Sequence, residues 1–215
     1  MLVHAHPGQL ANRADDVADI HASGAHLLQI INDILDLSKA EAGKLTLDED
    51  IFDVRDVIRS VCQLTRVRAQ ENGLTEATDL PPNLQLLHAD ERKTMQMLLN
   101  LVTNAIKFSP DGGEISITCR ADPIRGLSVT VADNGIGIAP ENLGRVVEAF
   151  EQVDNSLSRR HEGTGLGLPL VKAMIELHGG ALELKSELGV GTEATMIFPP
   201  ALLEMQPPKP VSIAA

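Results

Sequence analysis

Apolar positions along the chain follow two periods. Between residues 14 and 42, Val17, Ile20, Leu27, Ile31, Ile34, Leu35 and Leu37 fall largely on one stripe, the spacing of an amphipathic helix. Gly43 stands where a left-handed cap would end it. Such a helix runs roughly 40 Å at about 1.5 Å per residue. That is long for packing on one small domain and suits a helical bundle or a dimer seam. Residues 1–12, with His-Pro-Gly at 6–8, read as irregular, and residues 44–52 as a short extended linker.

A second helix is predicted over 53–72, where Val54, Val57, Ile58, Val61 and Leu64 repeat at helical spacing and Gly73 follows. Pro81-Pro82 marks a loop and residues 84–88 a short strand. Asp90 is placed to cap a helix running to about Phe108, and Pro110-Asp111-Gly112-Gly113 is a strong turn. The period then changes to two. Residues 114–120 and 127–132 alternate as a hairpin around Pro123 to Gly126. A glycine-rich segment, a short helix near 141–149 and a polar stretch over 151–162 follow. A helix starts near Gly165 and ends at Gly179-Gly180, and two strands over 181–187 and 193–198 are joined by a Gly189/Gly191 turn. From Pro199 the tail, with five prolines to Pro210, reads as disordered. This order predicts a two-layer α/β sandwich, one mixed sheet with helices on one face, preceded by a long N-terminal helix.

Composition narrows the picture. Hydrophobic residues are 43% and aromatics only 2%, with no Trp or Tyr, so the core must be aliphatic. A net charge of −12 argues against wrapping nucleic acid or coating an anionic membrane. It leaves a local nucleotide site open. Cys62 and Cys119 have no metal-ligand partner at useful spacing and read as reduced buried thiols. No apolar run approaches the roughly 20 residues that span a bilayer, and the first ten residues lack signal-peptide character. The expectation is a soluble cytoplasmic chain, or the cytoplasmic part of something larger.

Three segments carry chemistry. Asp133-Asn134-Gly135-Ile136-Gly137-Ile138 follows a strand end. It is either a plain Asp-Asn-Gly turn or a pocket in which Asp133 accepts the adenine amino group and rejects the guanine oxygen. Gly163-Thr164-Gly165-Leu166-Gly167-Leu168 leads into a helix, where alternating glycines and a helix N-terminus suit phosphate. It lacks the Lys-Ser/Thr of a P-loop and does not follow a strand as a Rossmann turn does. Arg159-Arg160-His161 just before it is a solvated charged loop or a source of positive charge for phosphates. The third segment is the face of the 90–108 helix that carries Asn100, Asn104 and Lys107, opposite the apolar Met97, Leu98, Leu101, Val102 and Ala105. Amide oxygens suit Mg²⁺, which takes few protein ligands beside substrate phosphates.

In order and spacing, these segments closely resemble the GHKL ATPase superfamily, and within it the sensor histidine kinases. Asn100 to Phe108 resembles the family's Asn-rich box and Asp133 to Ile138 its adenine-binding glycine box. Phe150-Glu151-Gln152-Val153-Asp154 resembles its phenylalanine box, Gly163 to Leu168 its second glycine box, and Gly189-Val190-Gly191-Thr192 its terminal one. The resemblance implies a Bergerat-type fold binding ATP and Mg²⁺. It implies metal coordination by Asn104 with Asn100 in support, phosphate contact through Lys107, and adenine at Asp133. It implies further nucleotide contacts at Phe108, Gly135, Gly137, Ile138, Gly163, Thr164, Gly165, Leu166, Gly167 and Thr192. Residues 150–162 become a mobile ATP lid, with Arg159 or Arg160 near the terminal phosphate. Gln152 stands where many relatives carry Arg.

The segment from Asp19 to Ala42 resembles the second helix of the dimerisation and phosphotransfer hairpin. None of the seven histidines has the acidic, Arg and Pro context of the family's phospho-acceptor. The expectation is therefore a partial hairpin over 1–43, an ATP-binding domain over 44–199 and a tail over 200–215. The acceptor helix would come in trans or from a segment upstream, with homodimerisation through the N-terminal helix and a response regulator as downstream partner. The rival readings are a pseudokinase or dimerisation scaffold that transfers nothing, and a protein-serine kinase of the same superfamily. The hairpin-like helix argues against the latter.

Overall fold

The computed structural model describes residues 7–151 and 164–204, with side chains from Ile20 onward except at residues 21, 22, 25 and 26. The first helix, α1, spans Pro7–Glu41 and so starts seven residues before the expected Ala14. Pro7 and Gly8, in the stretch read as irregular, instead open the helix, because proline at the first helical position needs no N–H partner. Gly43, at φ 63°, turns the chain away as expected.

The five-stranded sheet has the order β2-β4-β5-β7-β6, built from Thr75–Asp79, Glu114–Asp122, Gly126–Asp133, Gly191–Phe198 and Ala181–Glu187. Only β2–β4 is parallel. Alternation decides its faces. Ile115, Ile117, Cys119, Leu127, Val129, Val131, Met196 and Phe198 are buried. Thr130 and Thr195 pair across the other face at 2.8 Å. The buried face is covered by α2 (Val54–Glu71), α3 (Glu91–Phe108) and α4 (Gly167–Leu177). The two-layer sandwich is therefore as expected, with Ile58, Met97, Leu98, Leu170 and Met174 facing the sheet side chains in an aliphatic core.

Two aspartates set the helix starts. Arg55 N–H donates to Asp53 Oδ1 at 3.0 Å ahead of α2, and Lys93 N–H donates to Asp90 Oδ1 at 3.0 Å ahead of α3. Asp90 is also where distant parts of the chain meet. It accepts Asp48 N–H at 3.0 Å and Lys93 Nζ at 2.8 Å, while its own N–H donates to His178 Nε2 at 3.1 Å. Nδ1 of His178 is 2.7 Å from Met174 O, so both ring nitrogens are used. This histidine is a buried structural tie between α4 and the start of α3.

Several expectations need correction. The 44–52 linker contains β1 (Asp50–Phe52), which pairs with β3 (Leu86–Ala89) in a second, three-stranded sheet. The third strand is β8 (Leu203–Glu204), so the start of the 200–215 tail is ordered. Pro200–Leu202 turns the chain, and Leu203 lands opposite Leu87. Residues 205–215 lie outside the described residues. β2 was not anticipated, because Ala77 is its one apolar residue and leaves no alternating apolar face to read. The helix expected near 141–149 is two short 3₁₀ turns, Pro140–Asn142 and Arg145–Val147. Gly144 between them weakens helix formation, and Glu148 is already extended at ψ 141°. Cys119 is buried, as expected, whereas Cys62 is only half-buried. Among the described residues, no helix is long and apolar enough to cross a membrane.

The expected stripe on α1 is divided. Leu37 is buried in the core and Ile30 packs against it. Ile20, Leu27, Leu28, Ile31, Ile34 and Leu35 are exposed.

Candidate functional site

Strand β5 ends at Asp133, and the loop that follows is wedged between the end of α3 and the β6–β7 turn. Ile136 N–H donates to Phe108 O at 3.1 Å, and Gly189 N–H donates to Ile136 O at 2.8 Å. Glycine is required where backbones touch. A Cβ on Gly137, at φ 66°, would lie 1.9 Å from Glu187 O. One on Gly191, at φ 143°, would lie 2.0 Å from Asp133 O, and one on Gly135 would lie 2.4 Å from Phe108 O. Asn134 locks the loop to β4 by accepting Glu114 N–H on Oδ1 at 2.8 Å.

The Asp133 carboxylate turns inward. It accepts Gly135 N–H at 2.9 Å. Burial pushes its pKa above the usual carboxylate range, while the Gly135 and Thr192 backbone N–H groups pull the other way. A half-buried acceptor with a raised pKa and no cation among these partners is the electrostatic profile of a ligand-reading group. Thr192 sits opposite Asp133 across the β5–β7 ladder.

Ser186 is a site residue that the sequence reading missed. Its Oγ accepts Ile138 N–H at 2.7 Å, donates to Gly191 O at 2.7 Å and lies 2.8 Å from Thr192 Oγ1. It ties the 133–138 loop to the Gly191-Thr192 segment. The only signal in the sequence was a hydroxyl five residues before Gly191, which is too common to act on.

The polar face of α3 lies on another side of the site. Asn104 reaches the start of α4, with Nδ2 3.5 Å from where a Cβ on Gly167 would stand. Asn100 is half-buried, and its buried Nδ2 has no hydrogen-bond partner. Lys107 Nζ lies over the Phe108 ring, 4.8 Å from its centroid. Burial lowers the Lys107 pKa, and Arg68 lowers it further.

The N-terminus of α4 is the third wall. The helix starts at Gly167 rather than Gly165, because Gly165 at φ 68° cannot enter a right-handed turn. Leu166 N–H donates to Thr164 Oγ1 at 3.3 Å, and no side chain caps the helix. Uncapped N–H groups at a helix start suit an anion. Pro169 in the first turn has no N–H to leave unsatisfied.

Most of the expected nucleotide residues therefore belong to one connected framework. Asn104 meets Gly167, Phe108 meets Gly135 and Ile136, and Asp133 meets Gly135 and Thr192. Gly163, Arg159, Arg160 and the lid over 152–162 lie outside the described residues. The last described residues before them include Phe150, left-handed at φ 65° and exposed.

Residues 89–202 match the family model described as "Histidine kinase-, DNA gyrase B-, and HSP90-like ATPase". The chain is 41% identical over 200 residues to the histidine protein kinase DivJ of Caulobacter vibrioides, covering 92% of this chain and 33% of that protein. It is 46% identical over 184 residues to the non-motile and phage-resistance protein of the same organism, covering 84% of this chain and 22% of that protein. The chain thus spans a third or less of the length of these two relatives. Among solved structures, full-length ShkA in complex with AMPPNP superposes at TM-score 0.76 with 33% identity, covering 91% of this chain and 40% of that one. The Acinetobacter baumannii histidine kinase AdeS shares the fold at TM-score 0.70 with 24% identity, covering 89% of this chain and 91% of that one. With more than half of its residues inside the matched family, this chain belongs to the histidine kinase-, DNA gyrase B- and HSP90-like ATPases.

Proposed function

We propose that the chain is the ATP-binding catalytic part of a sensor histidine kinase. It binds Mg·ATP and transfers the γ-phosphoryl group to a histidine outside this chain. The observation that carries this reading is the convergence of three features on one framework: the half-buried Asp133, the Asn/Lys face of α3 and the uncapped start of α4. DivJ, a histidine protein kinase, and ShkA, solved in complex with AMPPNP, support it from outside.

Each group has a role its chemistry suits. Asp133 accepts the adenine amino group. Gly135, Gly137 and Ile138 shape the base pocket, with Phe108 backing it. The Gly163 to Gly167 segment and the start of α4 hold phosphates, and Lys107 neutralises them. The residues present also fit a magnesium ion. Among the described residues no group of three or more His, Cys, Asp or Glu could hold a metal, but Asn104, beside the uncapped start of α4, and Asn100, one turn before it on α3, are amides whose oxygens suit the ion. When bound, the ion neutralises charge on the phosphates. Arg159 or Arg160 would supply positive charge to the terminal phosphate, where charge spreads in the transition state. In the transfer, the bond from γ-phosphorus to the bridging oxygen breaks, a bond from imidazole nitrogen to phosphorus forms, and ADP leaves. The imidazole proton goes to a base that arrives with the acceptor helix.

The exposed side of α1 completes the reading. Ile20, Leu27, Leu28, Ile31, Ile34 and Leu35 form an apolar surface that a hairpin helix and a second copy would cover. The phosphorylated acceptor would then serve a response regulator, in the cytoplasm where ATP is supplied.

Asn104→Ala tests the metal assignment. Titration calorimetry with a non-hydrolysable ATP analogue should show affinity that depends on Mg²⁺ in the parent. The variant should bind at least about tenfold more weakly, the equivalent of roughly 1.4 kcal/mol. Unchanged affinity in the variant would remove Asn104 as a metal ligand.

A further inference from the structure

Asp133, Thr192 and Ser186 stand in one row across three strands. Asp133 of β5 is opposite Thr192 of β7, and Thr192 is opposite Ser186 of β6. Directly opposed residues of antiparallel strands project from the same face of the sheet, with Cβ atoms roughly 4.5–5.5 Å apart. All three residues are half-buried. Two positions along each strand, Val131, Ala194 and Leu184 continue the same face into the core.

The protons in this row can be counted. Ser186 Oγ lies 2.7 Å from Ile138 N, 2.7 Å from Gly191 O and 2.8 Å from Thr192 Oγ1. A serine hydroxyl has one proton to donate and two lone pairs with which to accept. The Ile138 N–H only donates, and the Gly191 carbonyl only accepts. A hydroxyl and a carbonyl oxygen at 2.7 Å need a proton between them, and Ser186 supplies it. That proton is then spent, so the proton between Ser186 and Thr192 belongs to Thr192. Thr192 Oγ1 has no other hydrogen bond to a described residue. Its proton is turned toward β6, and its free lone pairs are left for whatever lies beside Asp133 on β5.

We propose that Ser186 fixes Thr192 as a hydrogen-bond acceptor, so that the base pocket presents two acceptors side by side and selects a purine with an amino group over one with an oxygen in its place. Ser186 is a positioning residue: it sets the polarity of a neighbour that faces the base. The selection holds whether Thr192 meets the base directly or through one water. A water between Asp133 and Thr192 spends both protons on them and turns only lone pairs to the base. An amino group satisfies those lone pairs, whereas an oxo group leaves acceptor facing acceptor. Without Ser186 the Thr192 hydroxyl is free to rotate and donate toward an oxo group. The inference rests on the nucleotide site proposed above and is independent of phosphoryl transfer.

The test compares ATP with inosine triphosphate, in which an oxygen replaces the adenine amino group, by titration calorimetry with Mg²⁺ on the whole chain. The parent should prefer ATP. Ser186→Ala should narrow that preference by about three- to tenfold, the worth of roughly one hydrogen bond. Losing the tie to Ile138 and Gly191 weakens both nucleotides together and leaves their ratio alone. Ser186→Thr keeps the hydroxyl and should restore the parent's ratio. Thr192→Val is close to isosteric and leaves Ser186 its bonds to Ile138 and Gly191. It should narrow the ratio by itself, and adding Ser186→Ala to it should change the ratio no further. An unchanged ratio in either single variant would overturn the assignment. So would an equal narrowing by Ser186→Ala with and without the Thr192 hydroxyl, because Ser186 would then not act through it. A parent that binds neither nucleotide would overturn the nucleotide site itself, whereas a parent that prefers ATP with a ratio indifferent to Ser186 would overturn this inference alone.

Discussion

Gly137→Ala should destabilise the chain by about 3–5 kcal/mol, a large fraction of the 5–15 kcal/mol typical of a domain. The new methyl meets Glu187 O at 1.9 Å, and the backbone is left-handed at φ 66°. The left-handed conformation alone costs roughly 1–2 kcal/mol for a residue with a Cβ. Relieving the overlap means pushing the β6–β7 turn away from the 133–138 loop. That movement strains the Gly189–Ile136 bond at 2.8 Å and the Ile138–Ser186 bond at 2.7 Å, each worth about 1 kcal/mol. Overpacking adds roughly 1–3 kcal/mol. Nucleotide affinity should fall with it, because the same loop carries Asp133. Gly144→Ala is the control: it has open space around it and φ −70°, so it should be neutral or slightly stabilising. Urea denaturation of both variants decides the matter. A change under about 0.5 kcal/mol in Gly137→Ala would show that the loop is not wedged as described.

Asp133→Asn should weaken ATP binding by about ten- to a hundredfold and narrow the preference for ATP over GTP. Removing a charged acceptor from a buried polar site costs about 1–3 kcal/mol. An amide can rotate to donate to the guanine oxygen, whereas a carboxylate repels it. The same variant should stabilise the nucleotide-free chain at neutral pH. Burial raises the Asp133 pKa, so the carboxyl's contribution to stability is complete below the ordinary carboxylate range and is lost as pH rises through the raised value. Asparagine has no charge to bury, so its advantage should appear near pH 7 and vanish in acid. Calorimetric affinities and thermal midpoints at the two pH values read both effects. Equal ATP and GTP affinity in the parent would refute the role given to Asp133.

Much of this was legible in the sequence, where local chemistry and global packing agree. Asp90 announced its helix as a capping residue and caps it in the structure, whereas Asp53, read as the first residue of its helix, proves to be the cap. The α3 stripe Met97, Leu98, Leu101, Val102 and Ala105 is fully buried, which turns Asn100 and Asn104 toward the site. What was missed depends on distant parts of the chain. β1 and β8 have three and two residues and exist because β3 lies between them. Ser186 matters only through Ile138 and Thr192. The division of the α1 stripe needed α4 in view, since Leu37 and Ile34 look alike until one of them meets a partner.

The central claim is transfer of phosphoryl from bound ATP to a histidine supplied from outside the chain. Its most direct test is incubation with ATP radiolabelled on the γ-phosphate, with and without an added domain carrying an acceptor histidine. The account predicts acid-labile label on the added domain and none on the chain alone. No label on the added domain, despite measured Mg·ATP binding, would contradict the kinase reading and leave a nucleotide-binding scaffold. Acid-labile label on the isolated chain would contradict the claim that the acceptor lies outside it.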